Sequence, residues 1–277
     1  VHADVEVTAS RDGQIWIHAP DISLLSTLDA LPSDHPIAAA IRNVFSALGI
    51  SPLPPLKIKI TSTIPVASGL GSGAAVTVAL VRALSSFISH LSSLEEVNSF
   101  AYEIEKLHHG APSGIDNTVV TYAKPVYFVK GQPIETFRVG APFTLVIADT
   151  GISAPTRESV GDVRKLWEAD KPRWERVFDQ IGEIARQAKE QIENGEWQSL
   201  GALMDANHAL LQTLTVSSPE LDHLTETARK SGASGAKLSG GGRGGNLIAL
   251  VKADRSAHVA KSLLSAGAKR TIITEIA

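Results

Sequence analysis

Glu105 and Asp116 stand eleven positions apart in Glu105-Lys-Leu-His-His-Gly-Ala-Pro-Ser-Gly-Ile-Asp116, a helical carboxylate followed by an aspartate on a Pro/Ser/Gly turn. A lone pair of acids carries little, because most Glu and Asp are solvated surface groups. Here two glycine-rich segments frame the pair: Pro65-Val-Ala-Ser-Gly-Leu-Gly-Ser-Gly-Ala-Ala75 upstream and Lys237-Leu-Ser-Gly-Gly-Gly-Arg-Gly-Gly-Asn246 downstream. Glycine lets a chain turn tightly and bring backbone N–H groups against an anion, and a helix N-terminus adds a dipole that favours negative charge. Phosphate cradle, metal-competent acid and candidate base together describe a phosphoryl-transfer site. That chemistry needs a hard, oxygen-liganded Mg²⁺ on the phosphates and a carboxylate against the attacking hydroxyl.

Two other glycine patterns compete for the same residues. Gly69-x-Gly71-x-x-Ala74 satisfies the dinucleotide fingerprint, with Glu95 at a suitable distance for a ribose contact. The strand before it alternates with lysines, unlike a buried parallel strand, and no βαβ unit surrounds it. Gly240-x-Gly242-x-x-Gly245 matches too, but leads into a strand, and no Walker Gly-Lys-Ser/Thr ending is present. His108 and His109 diverge by about 100° on a helix and lack an i+4 partner, so they read as packing or supporting residues and not as a chelate. Trp167, Trp174 and Trp197 read as core or interface aromatics.

The elements that must position these groups come in two sets. Residues 1–7 and 15–18 alternate around Asp12-Gly13, which predicts an antiparallel hairpin; residues 20–34 lack periodicity and read as loop. A helix is expected over 36–48, capped by Asp34. Residues 56–64 alternate as a one-face strand and lead through the first glycine segment into a helix over 73–88. Ser92/Ser93 with Glu95/Glu96 form a capping box for a helix with the stripe Leu94, Val97, Ala101, Ile104 and Leu107, which Glu105 borders. Strands are expected over 118–129 and 134–139. From about 140 the order is strand (143–148), helices (158–169, 172–193, 196–214 and one from Pro219), strands (234–239, 246–252), helix (254–266) and strand (270–276). That order is a split βαβ, ferredoxin-like sandwich. An α+β chain of two lobes, 1–139 and 140–277, with a cleft between them is the expected architecture.

The chain has 277 residues, 43% hydrophobic and 20% charged, with net charge −3 and no cysteine. It can bury one or two ample cores. It carries no field that would attract nucleic acid or an anionic membrane, and it holds no disulfide or cysteine-ligated zinc. No run approaches the roughly 20 apolar residues of a membrane span. A cytoplasmic location is the expectation. The chain begins at Val1 and its sole methionine is Met204, so residues are expected to precede Val1.

At Glu105…Asn117 and both glycine segments the chain resembles the GHMP small-molecule kinases. The resemblance implies a ribosomal-S5-like N-terminal lobe, a ferredoxin-like C-terminal lobe, and ATP and Mg²⁺ as cofactors. It implies that Pro65, Ser68, Gly69, Leu70, Gly71, Ser72, Gly73 and Ala74 hold ATP phosphates, together with Gly240, Gly241, Gly242 and Arg243. Ser72 and Glu105 would bind Mg²⁺, Asp116 would be catalytic, and Asp116, Thr156 and Gly241 would touch substrate. Asp149-Thr-Gly151 and Met204-Asp-Ala-Asn-His-Ala-Leu-Leu-Gln212 also look like the family. The wording Ser113-Gly-Ile-Asp-Asn117 is similar to the branch whose acceptor is mevalonate, which implies 5-phosphomevalonate as product, in isoprenoid precursor synthesis. Phosphomevalonate, homoserine and a sugar are the alternative alcohols. The implied partners are that small molecule and ATP, without nucleic acid or membrane, with a homodimer left open.

The chain departs from the family pattern in three places. The opening Pro-Gly-Lys…Gly-Glu-His segment, with a lysine beside the catalytic aspartate, is not in these residues, whose first lysine is Lys57. That leaves a non-catalytic nucleotide or phosphometabolite binder as the reading from another class. Gly73 replaces the usual second serine, and Arg243 stands where the family has glycine. Arg243 has no acid near it in sequence; its guanidinium can fork onto phosphate or project into solvent.

Overall fold

The alternation Leu56-Lys-Ile-Lys-Ile60 makes β4 (Leu56–Ser62) a strand with one wet and one dry face, and the computed structural model places it inside a four-stranded sheet. The structure describes residues 1–64, 70–90, 92–109, 112–153 and 156–277, without the side chains of 107–109. It divides into two compact units, one of described residues up to Thr136 and one from Phe137 to Ala277.

In the first unit β1 (Ala3–Ala9), β2 (Trp16–Ala19) and β3 (Leu24–Thr27) join β4 in the order β1-β4-β2-β3. β4 pairs antiparallel with β1 and parallel with β2. The expected β1–β2 hairpin is therefore absent, because β4 offers ladder groups to both strands and separates them. Asp12 at the expected turn instead accepts from the Ser10 hydroxyl, the Gln14 amide and Trp16 Nε1, which hold its pKa down at about 2. The stretch 20–34, expected as loop, contains β3, which is antiparallel to β2.

Leu56, Ile58, Ile60 and Ile17 bury one face of this sheet against α1 (Pro36–Ala47), α2 (Ser72–Phe87) and α3 (Leu94–His109). Phe45, Ile41, Leu80, Leu84 and Ile104 fill the space between, each fully buried side chain contributing about 1.5–3 kcal/mol. His35, not Asp34, is the N-cap of α1, and no side chain caps it. The capping box of α3 forms as expected, with Ser93 N donating to Glu96 at 2.9 Å and Glu96 N to Ser93 Oγ at 3.2 Å.

The largest departure follows α3. Residues expected as a strand from 118 form a helix, α4 (Ile115–Tyr122), and only Val126–Tyr127 (β5) and Glu135–Thr136 (β6) pair as strands. The β-branched run Thr118-Val-Val-Thr121 favours a strand in isolation, but tertiary contacts override it. Thr118 Oγ1 donates to the Gly114 carbonyl at 2.6 Å, and buried Asn117 donates to Asn98 on α3.

The second unit has strands β7 (Phe143–Asp149), β8 (Gly235–Ser239), β9 (Asn246–Val251) and β10 (Arg270–Ile276) in the order β10-β7-β9-β8, all neighbours antiparallel. This is the expected ferredoxin-like sheet. One face carries Val146, Ala148, Leu238, Leu247 and Ala249 against α8 (Pro219–Lys230) and α9 (Ser256–Ser265). α5 (Thr156–Ala169), α6 (Lys171–Asn194) and α7 (Leu200–Thr213) complete the unit, and Trp167, Trp174 and Trp197 pack in its cores as expected. α7 runs so close to the edge strand that a Cβ on Gly201 would stand 2.2 Å from the Ser234 carbonyl oxygen.

Candidate active site

In the first unit the acids come to the start of α2. Gly71 is its N-cap with φ 68°, a conformation that disfavours any residue with a Cβ, and as a glycine it brings no capping side chain. The first-turn amides, at Ser72, Gly73 and Ala74, therefore form a helix N-terminus lined by two glycines, the arrangement that receives anions. A Cβ placed on Gly71 would lie 3.9 Å from Cβ and Cγ of Asp116, and one on Gly73 would lie 3.8 Å from Oε1 of Glu105. Asp116 and Glu105, eleven residues apart, thus flank the same helical turn. Asp116 is exposed in the first turn of α4 and not on a free turn as its sequence suggests; Glu105 is half-buried on α3.

Asn98 sets the relation between the two acids. It lies seven residues before Glu105, about two turns along one face of α3. Its Oδ1 accepts Asn117 Nδ2 at 2.6 Å, and its amide donates to Thr118 at 3.3 Å. Asn117 neighbours Asp116, so one amide network ties the helix bearing Glu105 to the helix bearing Asp116. Sequence reasoning missed Asn98, and the Asp116-Asn117 pair was the available signal. Pro65, Ser68 and Gly69 lie outside the described residues, as do the side chains of His108 and His109. Among the described residues no three His, Asp or Glu converge as a ready-made metal site. A cation here would need ligands from the phosphates as well.

In the second unit the hairpin loop Gly240–Gly245 is wedged against three segments. Gly241 abuts Thr156, whose Oγ1 would stand 2.7 Å from an added Cβ, and Gly242 abuts the Val216 carbonyl at 1.9 Å from one. Arg243 N donates to Val216 O at 2.8 Å and Gly245 N to Ile152 O at 2.8 Å. Arg243 does have an acid: Nη1 donates to Asp162 Oδ2 at 2.7 Å, and Nε reaches Thr215 O at 3.3 Å. Asp162 lies 81 residues earlier on α5, which is why local sequence could not reveal it. Lys165 first and Arg243 second hold the Asp162 carboxyl below its ordinary range.

The two remaining motifs serve the frame around this loop. Asp149 Oδ2 pairs with Arg270 at 2.7 Å while Oδ1 accepts Gly151 N at 2.8 Å, which pins the strand end. In the 204–212 motif, Asp205 accepts Ala236 N and His208 accepts Leu238 N, both on the edge strand that leads to the loop.

Comparison with known proteins identifies the family. Residues 35–124 match the family model described as GHMP kinases N terminal domain, and residues 188–269 match GHMP kinases C terminal. The chain is 37% identical over 226 residues to the mevalonate kinase of Pyrococcus furiosus, covering 80% of this chain and 66% of that protein. It is 35% identical over 257 residues to the mevalonate kinase of Saccharolobus solfataricus, covering 90% and 81%. The matched stretch thus spans about two thirds of the first of these relatives. Among solved structures it is similar to L. major mevalonate kinase in complex with R-mevalonate, with TM-score 0.84 and 31% identity over 99% of this chain and 86% of that one. It is also similar to the Methanococcus jannaschii mevalonate kinase, with TM-score 0.81 and 26% identity, over 99% of this chain and 88% of that one. With both family domains matched in order and relatives above 30% identity over most of its length, the chain belongs to the GHMP kinase family.

Proposed function

We propose that this protein transfers the γ-phosphoryl group of ATP to the primary hydroxyl of mevalonate, giving 5-phosphomevalonate for isoprenoid precursor synthesis. The observation that carries the proposal is the pair of carboxylates, Glu105 and Asp116, against the glycine-lined N-terminus of α2. Support for the acceptor comes from the relatives named mevalonate kinase and from the L. major structure with R-mevalonate.

The donor set fits ATP and Mg²⁺. A helix start with glycines at Gly71 and Gly73 and no side chain on its N-cap residue presents first-turn amides of the kind that bind phosphate oxygens. A hydroxyl and a carboxylate are the oxygen types a hard cation takes. When bound, Mg²⁺·ATP supplies the transferable group and neutralises its charge. Leu70, Gly71, Gly73 and Ala74, with Pro65, Ser68 and Gly69, hold the phosphates in this reading, and Ser72 and Glu105 hold the cation. Asp116 orients the acceptor hydroxyl and takes its proton. Gly240, Gly241 and Gly242 form the second phosphate loop, and Thr156 and Gly241 are the further substrate contacts. The family lobes are taken as 1–139 and 140–277. Mevalonate and ATP are the proposed partners, with no role for nucleic acid or membrane, and a cytoplasmic homodimer is the form to test by light scattering.

The test is a panel of mevalonate, phosphomevalonate, homoserine and galactose with Mg²⁺·ATP, read by ADP release. Mevalonate should be turned over fastest. Turnover of another alcohol in its place would reassign the acceptor. ATP binding with no turnover of any would favour the non-catalytic binder.

A further inference from the structure

Arg243 sits in a backbone conformation that favours glycine. Its φ is 58°, inside the left-handed region where a Cβ is disfavoured. Such an outlier persists only where surrounding contacts hold it, and it points to a role. Three contacts hold this residue: its amide on Val216 O at 2.8 Å, Nε on Thr215 O at 3.3 Å, and Nη1 on Asp162 at 2.7 Å. The first two fasten it to the segment after α7 and the third fastens it to α5. Asp162 is itself fixed by Lys165, whose Nζ donates to the other carboxylate oxygen at 2.8 Å.

We infer that the Asp162–Arg243 ion pair latches the Gly240–Gly245 loop onto α5, so that Arg243 is a positioning residue of the phosphate loop and not a phosphate ligand. The inference rests on the proposed function for its catalytic consequence but not for its structural one. The guanidinium gives Nη1 and Nε to Asp162 and Thr215, which fixes its plane toward α5 and leaves any direct phosphate contact to be separated from the latch by the variants below. The flanking glycines Gly242 and Gly244 bring no side chain to the loop, so beside the backbone bond of Gly245 to Ile152 its side-chain fastening falls to Arg243. A half-exposed ion pair is of modest strength and weakens with salt. Its loss should therefore loosen the loop without unfolding the unit.

Hydrogen exchange on the ligand-free protein tests the latch directly. Asp162→Asn and Arg243→Gly should each speed exchange of the Arg243 and Gly245 region amides (residue 243 being Gly in the second variant). The exchanged pair Asp162→Arg with Arg243→Asp should restore protection. In ATP titrations both single variants should raise KM for ATP about two- to fivefold, the range of a partly exposed pair, with the effect in KM and not kcat. Arg243→Lys should recover part of it. Unchanged exchange in Asp162→Asn would overturn the latch. So would a KM increase in Arg243→Gly that Asp162→Asn does not share, because Arg243 would then act on phosphate itself. Faster exchange in a protein that binds no ATP would keep the latch and overturn the proposed function instead.

Discussion

His208 Nδ1 accepts the Leu238 amide at 3.3 Å, one turn along α7 from Asp205, which accepts the Ala236 amide at 2.9 Å. β8 is an edge strand, and these alternate N–H groups would otherwise lack ladder partners. Two side chains spaced i, i+3 on one helix replace the missing strand, which gives the 204–212 motif a physical reason. Because Nδ1 accepts, the His208 proton must sit on Nε2, which donates to Asp222 at 3.1 Å. That tautomer requires a neutral ring.

Burial pushes the His208 pKa below 6.5, against the pull of Asp222 and aided by Arg229 and Lys237. The unfolded chain therefore takes up the proton first as pH falls, so stability drops from about pH 6.5 downward until the native ring also titrates. His208→Phe should flatten that pH dependence. It should also cost about 1–3 kcal/mol at pH 7.5, because it strands the Leu238 amide. Urea unfolding at a series of pH values reads both. A slope unchanged in the variant would show that other groups set it.

Gly201→Ala should destabilise by at least about 2 kcal/mol. The new Cβ would meet the Ser234 carbonyl oxygen at 2.2 Å, and both partners are backbone, so α7 or β8 must move. Gly182→Ala on α6 is the control: nothing lies within 4 Å of its added Cβ, and helix propensity alone predicts a gain of about 0.5–1 kcal/mol. Equal melting shifts in the two variants would refute the steric account.

The sequence was most legible where periodicity and caps coincide. The β4 alternation, the Ser93–Glu96 capping box and the split βαβ order each reappear in the structure. Legibility failed where a distant element decided the outcome. β4 displaced the β1–β2 hairpin, because strand pairing is not encoded in either strand's own alternation. The Asn98–Asn117 network turned a β-branched run into α4, which moved Asp116 from a turn to a helical first turn. Arg243 has its acid 81 residues away, beyond any local pattern. The pairing of Glu105 and Asp116 was visible as composition. Their meeting at Gly71 and Gly73 is a product of three helices.

Lys237 is a half-buried cation whose Nζ donates to the Leu238 carbonyl at 2.8 Å. Burial pushes its pKa down from 10.5 to about 8. The unfolded lysine holds its proton longer, so stability should rise as pH climbs from about 8 to 10.5. Lys237→Met keeps the stem packing and removes the charge. It should raise the melting temperature at pH 7 and flatten the alkaline rise. A lower melting temperature at pH 7 would mean that the ammonium makes a favourable contact in the native state.

Glu105→Gln should raise the Mg²⁺ concentration needed for half-maximal turnover by about tenfold, because it removes a charged oxygen from a site with few protein ligands. Size is kept while one acceptor oxygen becomes an NH₂ donor, so the melting temperature should change far less than the Mg²⁺ requirement. Mg²⁺ titrations at saturating ATP and mevalonate give the comparison. An unaltered titration would return Glu105 to a structural place on α3.

Asp116→Asn should cut turnover of mevalonate by about 10²- to 10⁴-fold, the range for removing a positioned general base. Its effect on ATP should have the opposite character. Asp116 brings negative charge beside the start of α2, close to where phosphate would bind. Losing that charge removes a repulsion, so ATP should bind as tightly as before or slightly tighter. The substitution also takes an acid from the first turn of α4, worth about 0.3–1 kcal/mol of stability through the helix dipole. Calorimetric titration with ATP, mevalonate turnover and urea unfolding on the one variant separate these three effects. A parallel loss of ATP affinity and turnover would make Asp116 a strut of the α2–α4 contact. A collapse of turnover alone would leave it facing the acceptor.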